Sequence, residues 1–329
     1  KASAAYNRNG RHRSMRILFV TANRVGDAVL STGILAYLAA KHPTAEITIA
    51  AGPAAISLFR ALPNLHRLIV MEKKRYGAHW LSLWRDCVAS RWDIIVDLRR
   101  SALAYCLMAD QRFIIPKAKR EMHRVELLAS TIGLDATPPA PTLWLENSTE
   151  DETEGGQKIA IAPAANWIGK QWSTERFAEL AARLSAPNGL FANARIAIFA
   201  AEAERDQVQA LFDNLPKDSF DDLVGVGDLS DVAHLLSRCD FFVGNDSGLM
   251  HMSAALGVPT LGLFGPSRTE HYAPWGPKCG YVRTKESYEE IVGAPGYDHR
   301  TTGSLMGGLT VDAVESAARQ LVERIGTSQ

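Results

Sequence analysis

Short, nearly unbroken apolar runs recur along the chain, separated by stretches too long for hairpin turns. RILFVT (16–21), EITIAA (46–51), RLIVM (67–71) and DIIVDL (93–98) have the length and β-branched content of strands buried on both faces. FIIP (113–116) is a fifth candidate. The intervals, notably 27–41 and 77–90, place apolar residues three or four apart, the period of a helix with one buried face. Strands alternating with such helices predict a mostly parallel sheet covered on both sides.

The rhythm breaks at 138–156, where TPPAPTLWLENSTEDETEGG mixes proline, acidic residues and glycine as a linker does. A second set follows: KIAIAP (158–163), RIAIFA (195–200), LVGVG (223–227), DFFVG (240–244) and TLGLFG (260–265), with helical stretches at 174–184 and 202–215. Thr310 is placed to cap a last amphipathic helix, VDAVESAARQLVERI. Two consecutive doubly wound domains with a cleft between them are the expected architecture. In such sheets ligands bind beyond the carboxyl ends of the strands, so the residues that follow each strand carry most of the information.

Composition narrows this picture. Of 329 residues, 47% are hydrophobic and 22% charged, an ordinary globular balance, and the length suits two domains. No apolar run approaches the roughly 18 residues of a membrane-spanning helix. The four cysteines are scattered without paired metal spacing, which fits a reducing cytoplasmic compartment. Residues 1–14 are basic and lack an apolar core, so they do not read as a secretory signal. Met15 directly precedes the first strand-like run, and the residues before it are left out of the fold reading.

The formal net charge is zero, but unevenly spread. Residues 1–150 hold 21 Lys and Arg against 12 Asp and Glu, a balance of +9, and residues 151–329 the reverse, −9. Such asymmetry either is incidental or marks the first half as the part that meets an anionic partner.

Three loops hold candidate chemistry. In NRVGDAVLSTG, after the first strand, Asp27 stands where the loop turns into a helix, either as an N-cap or as a carboxylate able to accept a substrate proton. In APAANWIGKQWSTERFAEL, Ser173 or Thr174 caps the next helix, and Lys170 is either a solvated surface group or a phosphate ligand. In FFVGNDSGLMHMSAALGVPTLGLFGPS (241–267), Asp246 or Ser247 caps a short helix whose start suits a phosphate or diphosphate. Gly248 leaves that start uncluttered, and His251 lies one turn on from Ser247. Gly257 and Pro259 end the helix. There is no G-x-G-x-x-G, P-loop or G-x-S-x-G, which disfavours nicotinamide binding, P-loop phosphoryl transfer and α/β-hydrolase chemistry, and the histidines show no metal-ligand spacing.

Together VGDAVLSTGILAYL, GKQWSTERFAEL and NDSGLMHMSAALGVPTLGLFGPS resemble glycosyltransferase family 9, the bacterial heptosyltransferases of lipopolysaccharide core synthesis. The likeness runs from about Met15 to the last helix. It implies the GT-B fold, two Rossmann-like parallel-sheet domains facing a central cleft. Residues 15–150 would bind the acceptor and 156–308 the nucleotide-sugar donor, with a C-terminal helix in 309–329 packing across the domain junction. It implies Asp27 as general base, Lys170 on the nucleotide phosphates, and Asp246, Ser247, Gly248 and His251 on the diphosphate and nearby ribose. Glu204, with Glu202 as its rival, matches an acidic residue near the nucleoside.

After DIIVDL the family often shows Gln or His and then Gly, whereas this chain has Arg99, Arg100 and Ser101. The two arginines fit an anionic acceptor. AANWIG also departs from the family's small, basic loop. The implied activity is inverting transfer of a sugar, most simply heptose from ADP-heptose, onto an acidic, lipid-linked core-type acceptor. Lys73, Lys74, Arg75, Lys117, Lys119, Arg120 and Arg124 could meet that acceptor at the cytoplasmic face of the inner membrane. No cofactor is called for beyond this co-substrate, no metal-ligating residues are assigned while metal dependence stays open, and no nucleic acid is expected. The alternatives are a family member with another nucleotide sugar or surface-glycan acceptor, a nucleotide-sugar epimerase of similar fold, and a non-catalytic nucleotide-binding protein.

Overall fold

The computed structural model describes residues 14–118, 121–146, 156–298 and 301–327. Lys119 and Arg120, most of the acidic linker and nearly all of the N-terminal tail lie outside the described residues. Residues up to 118 together with Val125–Pro139 form one compact unit. Residues 121–124 and the described residues from Ala140 onward form the second.

The first unit holds a five-stranded sheet of β1 (Arg16–Val20), β2 (Glu46–Ala51), β3 (Leu65–Val70), β4 (Trp92–Asp97) and β5 (Ala109–Ile114). Its order is β3-β2-β1-β4-β5, and every neighbouring pair is parallel. β1 is central and, from Ile17 to Val20, fully buried, as its unbroken apolar run requires. The expected helix over 27–41 is two helices, Val25–Leu30 and Thr32–Lys41. Buried Ser31 interrupts them: its hydroxyl donates to the Ala28 carbonyl and lies 2.8 Å from Thr21 Oγ1.

The second unit is built on β6 (Lys158–Ala162), β7 (Arg195–Ala200), β8 (Phe220–Val224), β9 (Phe241–Asn245), β10 (Thr260–Phe264) and β11 (Cys279–Arg283). Their order is β11-β10-β9-β6-β7-β8, again parallel throughout. β11 is not apparent in the sequence because it lies at the sheet edge, where CGYVR is only partly buried and needs no apolar run. The helix Leu229–Ser237 was also not anticipated; Asp228 and Asp231 begin it with a reciprocal capping box.

The expected caps at Ser173 and Thr310 are present: their hydroxyls accept from the backbone N–H groups of Arg176 and Ala313. Between them these helices complete the core. Phe177, Leu180 and Leu184 of Thr174–Ser185 are fully buried. Val311, Val314, Ala318 and Leu321 of Val311–Gly326 join the same cluster, so the C-terminal helix is part of the second unit's own core.

Phe177 is completely enclosed and stands edge-on to the Trp172 ring, with centroids 4.9 Å apart. Phe177→Ala is expected to lower the second unit's unfolding free energy by about 3–5 kcal/mol, measured by urea denaturation. A change below about 1 kcal/mol would mean that this cluster does not hold the unit together.

Candidate functional site

In the second unit the strand order reverses between β6 and β9: the chain runs outward through β7 and β8, then returns to β9 and runs outward the other way. These two strands pair from Ile159↔Phe241 to Ala162↔Gly244, so the loops that follow them start side by side. The β6 loop makes a short 3₁₀ turn, Ile168–Lys170, and β9 leads directly into Asp246. Lys170 Nζ donates to Asp246 Oδ2 at 2.5 Å. The Asp246 side chain is only 6% exposed and that of Lys170 25%. The lysine is therefore held at the strand ends by a buried carboxylate, a pairing that two residues 76 positions apart do not advertise.

Fully buried Asn245 fixes both loops. Its side-chain carbonyl accepts from Trp172 N at 3.1 Å, and its amide donates to the Pro163 carbonyl at 2.6 Å. A second clamp comes from 304–309. Leu305 N donates to the Gly169 carbonyl, Ser304 Oγ to the Gln171 carbonyl, and Trp172 Nε1 to the Leu309 carbonyl. The loop that carries Lys170 is thus pinned from both sides.

The helix Gly248–Ala255 follows at once. Ser247 occupies its cap position, but neither it nor Asp246 supplies a side-chain capping bond, which corrects the capping expectation. Asp246 is engaged with Lys170, and the Ser247 hydroxyl is buried with no hydrogen-bond partner. The first N–H groups of a helix lack intrahelical acceptors, so this start keeps its donors for another group. His251 is buried at 4% exposure one turn further on. Gly257, at φ +77°, ends the helix in the left-handed conformation glycine allows.

Glu204 closes a 3₁₀ turn after β7, the strand beside β6. One of its carboxylate oxygens accepts from Ala201 N at 2.9 Å. Its rival Glu202 is 69% exposed and pairs with Arg205. The structure therefore gives them different surroundings, although they are the two ends of one three-residue turn.

In the first unit the corresponding reversal lies between β1 and β4. Asp27 is the third residue of Val25–Leu30 and half-buried, and the cap position belongs to Arg24. Asp27 is not the N-cap; its carboxylate instead lies in the first turn, where the helix N-terminus favours negative charge. Arg99, after β4, donates to Asn23 Oδ1 at 2.7 Å and lies over the Trp80 ring at 5.4 Å. Asn23 is itself pressed against β2's end, where a Cβ on Gly52 would come within 2.6 Å of its Cα. Asp97 holds the turn by accepting from Arg99 N, Ser101 N and Ser101 Oγ. Arg100 is exposed at φ +51°. The two arginines thus separate: Arg99 ties the β4 loop to the β1 loop, and Arg100 projects.

Among the described residues no group of three or more His, Cys, Asp or Glu is placed to hold a metal ion. Burial pushes the thiols of Cys87, Cys239 and Cys279 up to about 12, so they stay neutral.

The strand-order reversal thus brings together a lysine held by a buried carboxylate and a helix start without a side-chain cap. The chain belongs to glycosyltransferase family 9: the family model "Glycosyltransferase family 9 (heptosyltransferase)" matches residues 81–293. It is 24% identical over 323 residues to "Lipopolysaccharide heptosyltransferase 2" of Escherichia coli strain K12, covering 84% of this chain and 90% of that protein. Two similar solved structures share its two-unit GT-B fold. A glycosyltransferase of family 9 from Veillonella parvula has a TM-score of 0.78 at 21% identity, covering 94% of this chain and 97% of its own. The E. coli ADP-heptose lipopolysaccharide heptosyltransferase II has a TM-score of 0.73 at 21% identity, covering 95% and 100%. The protein is a glycosyltransferase.

Removing the Asn245 side-chain amide would orphan the Trp172 N–H and the Pro163 carbonyl, each costing about 1–3 kcal/mol. Asn245→Ala is accordingly expected to destabilise the second unit by about 2–6 kcal/mol in chemical denaturation. A variant as stable as the parent would show that the two loops hold without it.

Proposed function

We propose that the protein is an inverting transferase that moves heptose from ADP-heptose onto an anionic, lipid-linked acceptor of the lipopolysaccharide-core type. The observation that carries this reading is the Lys170–Asp246 pair beside the uncapped helix start at Ser247 and Gly248. As the bond between the anomeric carbon and the diphosphate breaks, negative charge builds on the leaving group. The Lys170 ammonium, the first helical N–H groups and the Ser247 hydroxyl are the donors to meet it. Asp246 acts by positioning Lys170, and His251 and Glu204 are assigned to the donor's ribose and nucleoside side.

Asp27 takes the proton of the acceptor hydroxyl as that oxygen attacks the anomeric carbon from the face opposite the leaving group. The new C–O bond forms, the old one breaks, and its electron pair leaves with the nucleotide. No covalent intermediate is required. Of the two arginines, exposed Arg100 is assigned to the anionic acceptor and Arg99 to holding the β1 loop that leads to Asp27. The donor and acceptor named for the E. coli relatives support the choice of ADP-heptose and a core acceptor. The Arg99-Arg100 departure favours, as the specific alternative, a different surface glycan or nucleotide sugar. A nucleotide-sugar donor together with a lipid-linked acceptor favours a cytoplasmic reaction at the inner face of the inner membrane.

The test is nucleotide release from ADP-, UDP-, GDP- and dTDP-sugars, with and without deacylated core acceptor. Acceptor-dependent ADP release is expected, falling at least about 100-fold in Asp27→Ala, in line with loss of one general base. Turnover of UDP- or GDP-sugars alone would contradict the heptose assignment. A new sugar epimer formed without acceptor would contradict transfer.

A further inference from the structure

The first unit carries a surface that the site leaves unused. β3 ends at Val70, which is 50% exposed, and the chain continues through Glu72, Lys73, Lys74, Arg75 and Tyr76, all exposed. Tyr76 has 97% of its surface open. It also adopts φ +53°, a left-handed conformation that bulky side chains rarely take, and Gly77 follows at φ +72°. These two residues turn the chain into the helix Ala78–Cys87 and leave the phenol ring projecting, with the Arg75 guanidinium 5.6 Å from its centroid.

That helix buries Leu83 and Cys87 and presents Ala78, Leu81 and Arg85 to solvent at spacings of three and four. Leu81 is 51% exposed. Val70, Lys74, His79 and Ser82 line one shallow cavity of about 100 Å³, so strand end, basic run and helix form a continuous patch. Arg67 pairs with Asp86 at 2.9 Å. Beside that pair, residues 67–86 hold four basic side chains against one acidic.

We propose that this patch docks the protein on an anionic phospholipid surface. Lys73, Lys74 and Arg75 meet the headgroup phosphates, Tyr76 lies at headgroup depth, and Leu81 enters the acyl boundary. Charge complementarity selects an anionic partner, and an exposed ring and aliphatic side chain among the charges select a bilayer over an acidic protein. The proposal rests on the lipid-linked acceptor above, because it supplies the contact that would hold the first unit at the membrane where such an acceptor resides.

Co-sedimentation of the full chain with vesicles of phosphatidylcholine, alone or mixed with phosphatidylglycerol, tests it. Binding is expected only to the mixed vesicles and to weaken with salt. Each basic side chain near an anionic surface contributes about fivefold, so the triple variant K73Q/K74Q/R75Q should partition about 100-fold more weakly. Tyr76→Ser combined with Leu81→Ser should weaken binding while leaving its salt dependence. In both variants unchanged ADP binding by calorimetry shows that the fold is kept. Equal binding to both vesicle types, parent-like binding by the triple variant, or capture of an acidic protein without vesicle binding would each overturn the proposal. An unmodified chain that releases ADP with acceptor but binds neither vesicle type overturns this inference alone; one that binds mixed vesicles but transfers no sugar overturns the catalytic reading alone.

Discussion

The second unit's site depends on one buried amide. Asn245 ends β9 and reaches across to the loop after β6, where it accepts from Trp172 N and donates to the Pro163 carbonyl. A fully enclosed Asn must find such partners, because unpaired polar groups are costly in a dry interior. Satisfying them fixes the chain on both sides of Lys170 and sets the adjacent Asp246 against it. The ion pair is therefore a consequence of the strand-end geometry. The uncapped helix follows from it as well, since the Asp246 carboxylate next to the start of Gly248–Ala255 is turned to the lysine.

The first unit solves the same problem with different chemistry. Its two central strands, β1 and β4, also end side by side, and here Arg99 spans the gap to Asn23 while Asp97 ties down its own turn. In both units, then, the residues proposed for chemistry follow the strands at which the sheet order reverses, except Glu204, which follows the neighbouring β7. Rigid central strands support the loops, and side-chain to backbone bonds restrain them, as a site that must position reacting groups requires.

How much of this was legible follows from what each residue touches. β1, β6 and β9 stand out because burial on both faces demands unbroken apolar runs. Ser173 and Thr310 read as caps because capping is local chemistry. The family's donor block was recognisable because Asp246, Ser247, Gly248 and His251 are near neighbours in sequence. The Lys170–Asp246 pair was not, since it joins two loops 76 residues apart and no local pattern encodes that distance. Asn245 was equally silent: in Asn-Asp-Ser-Gly it reads as turn chemistry, and its bonds to Trp172 and Pro163 exist only once β6 and β9 are neighbours. Of the two readings of Asp27, the N-cap falls away for a smaller reason, since the helix begins two residues earlier, at Val25. β11 escaped because an edge strand can be half-polar.

The central claim is that the β6 and β9 strand ends bind a diphosphate, and calorimetric titration with ADP and with AMP tests it most directly. Charge-assisted hydrogen bonds to the second phosphate, each contributing about 1.5–3 kcal/mol, predict that ADP binds at least about tenfold more tightly than AMP. They also predict that Lys170→Met removes most of that difference. Equal affinity for the two nucleotides, or an ADP preference untouched by the loss of Lys170, would contradict the account.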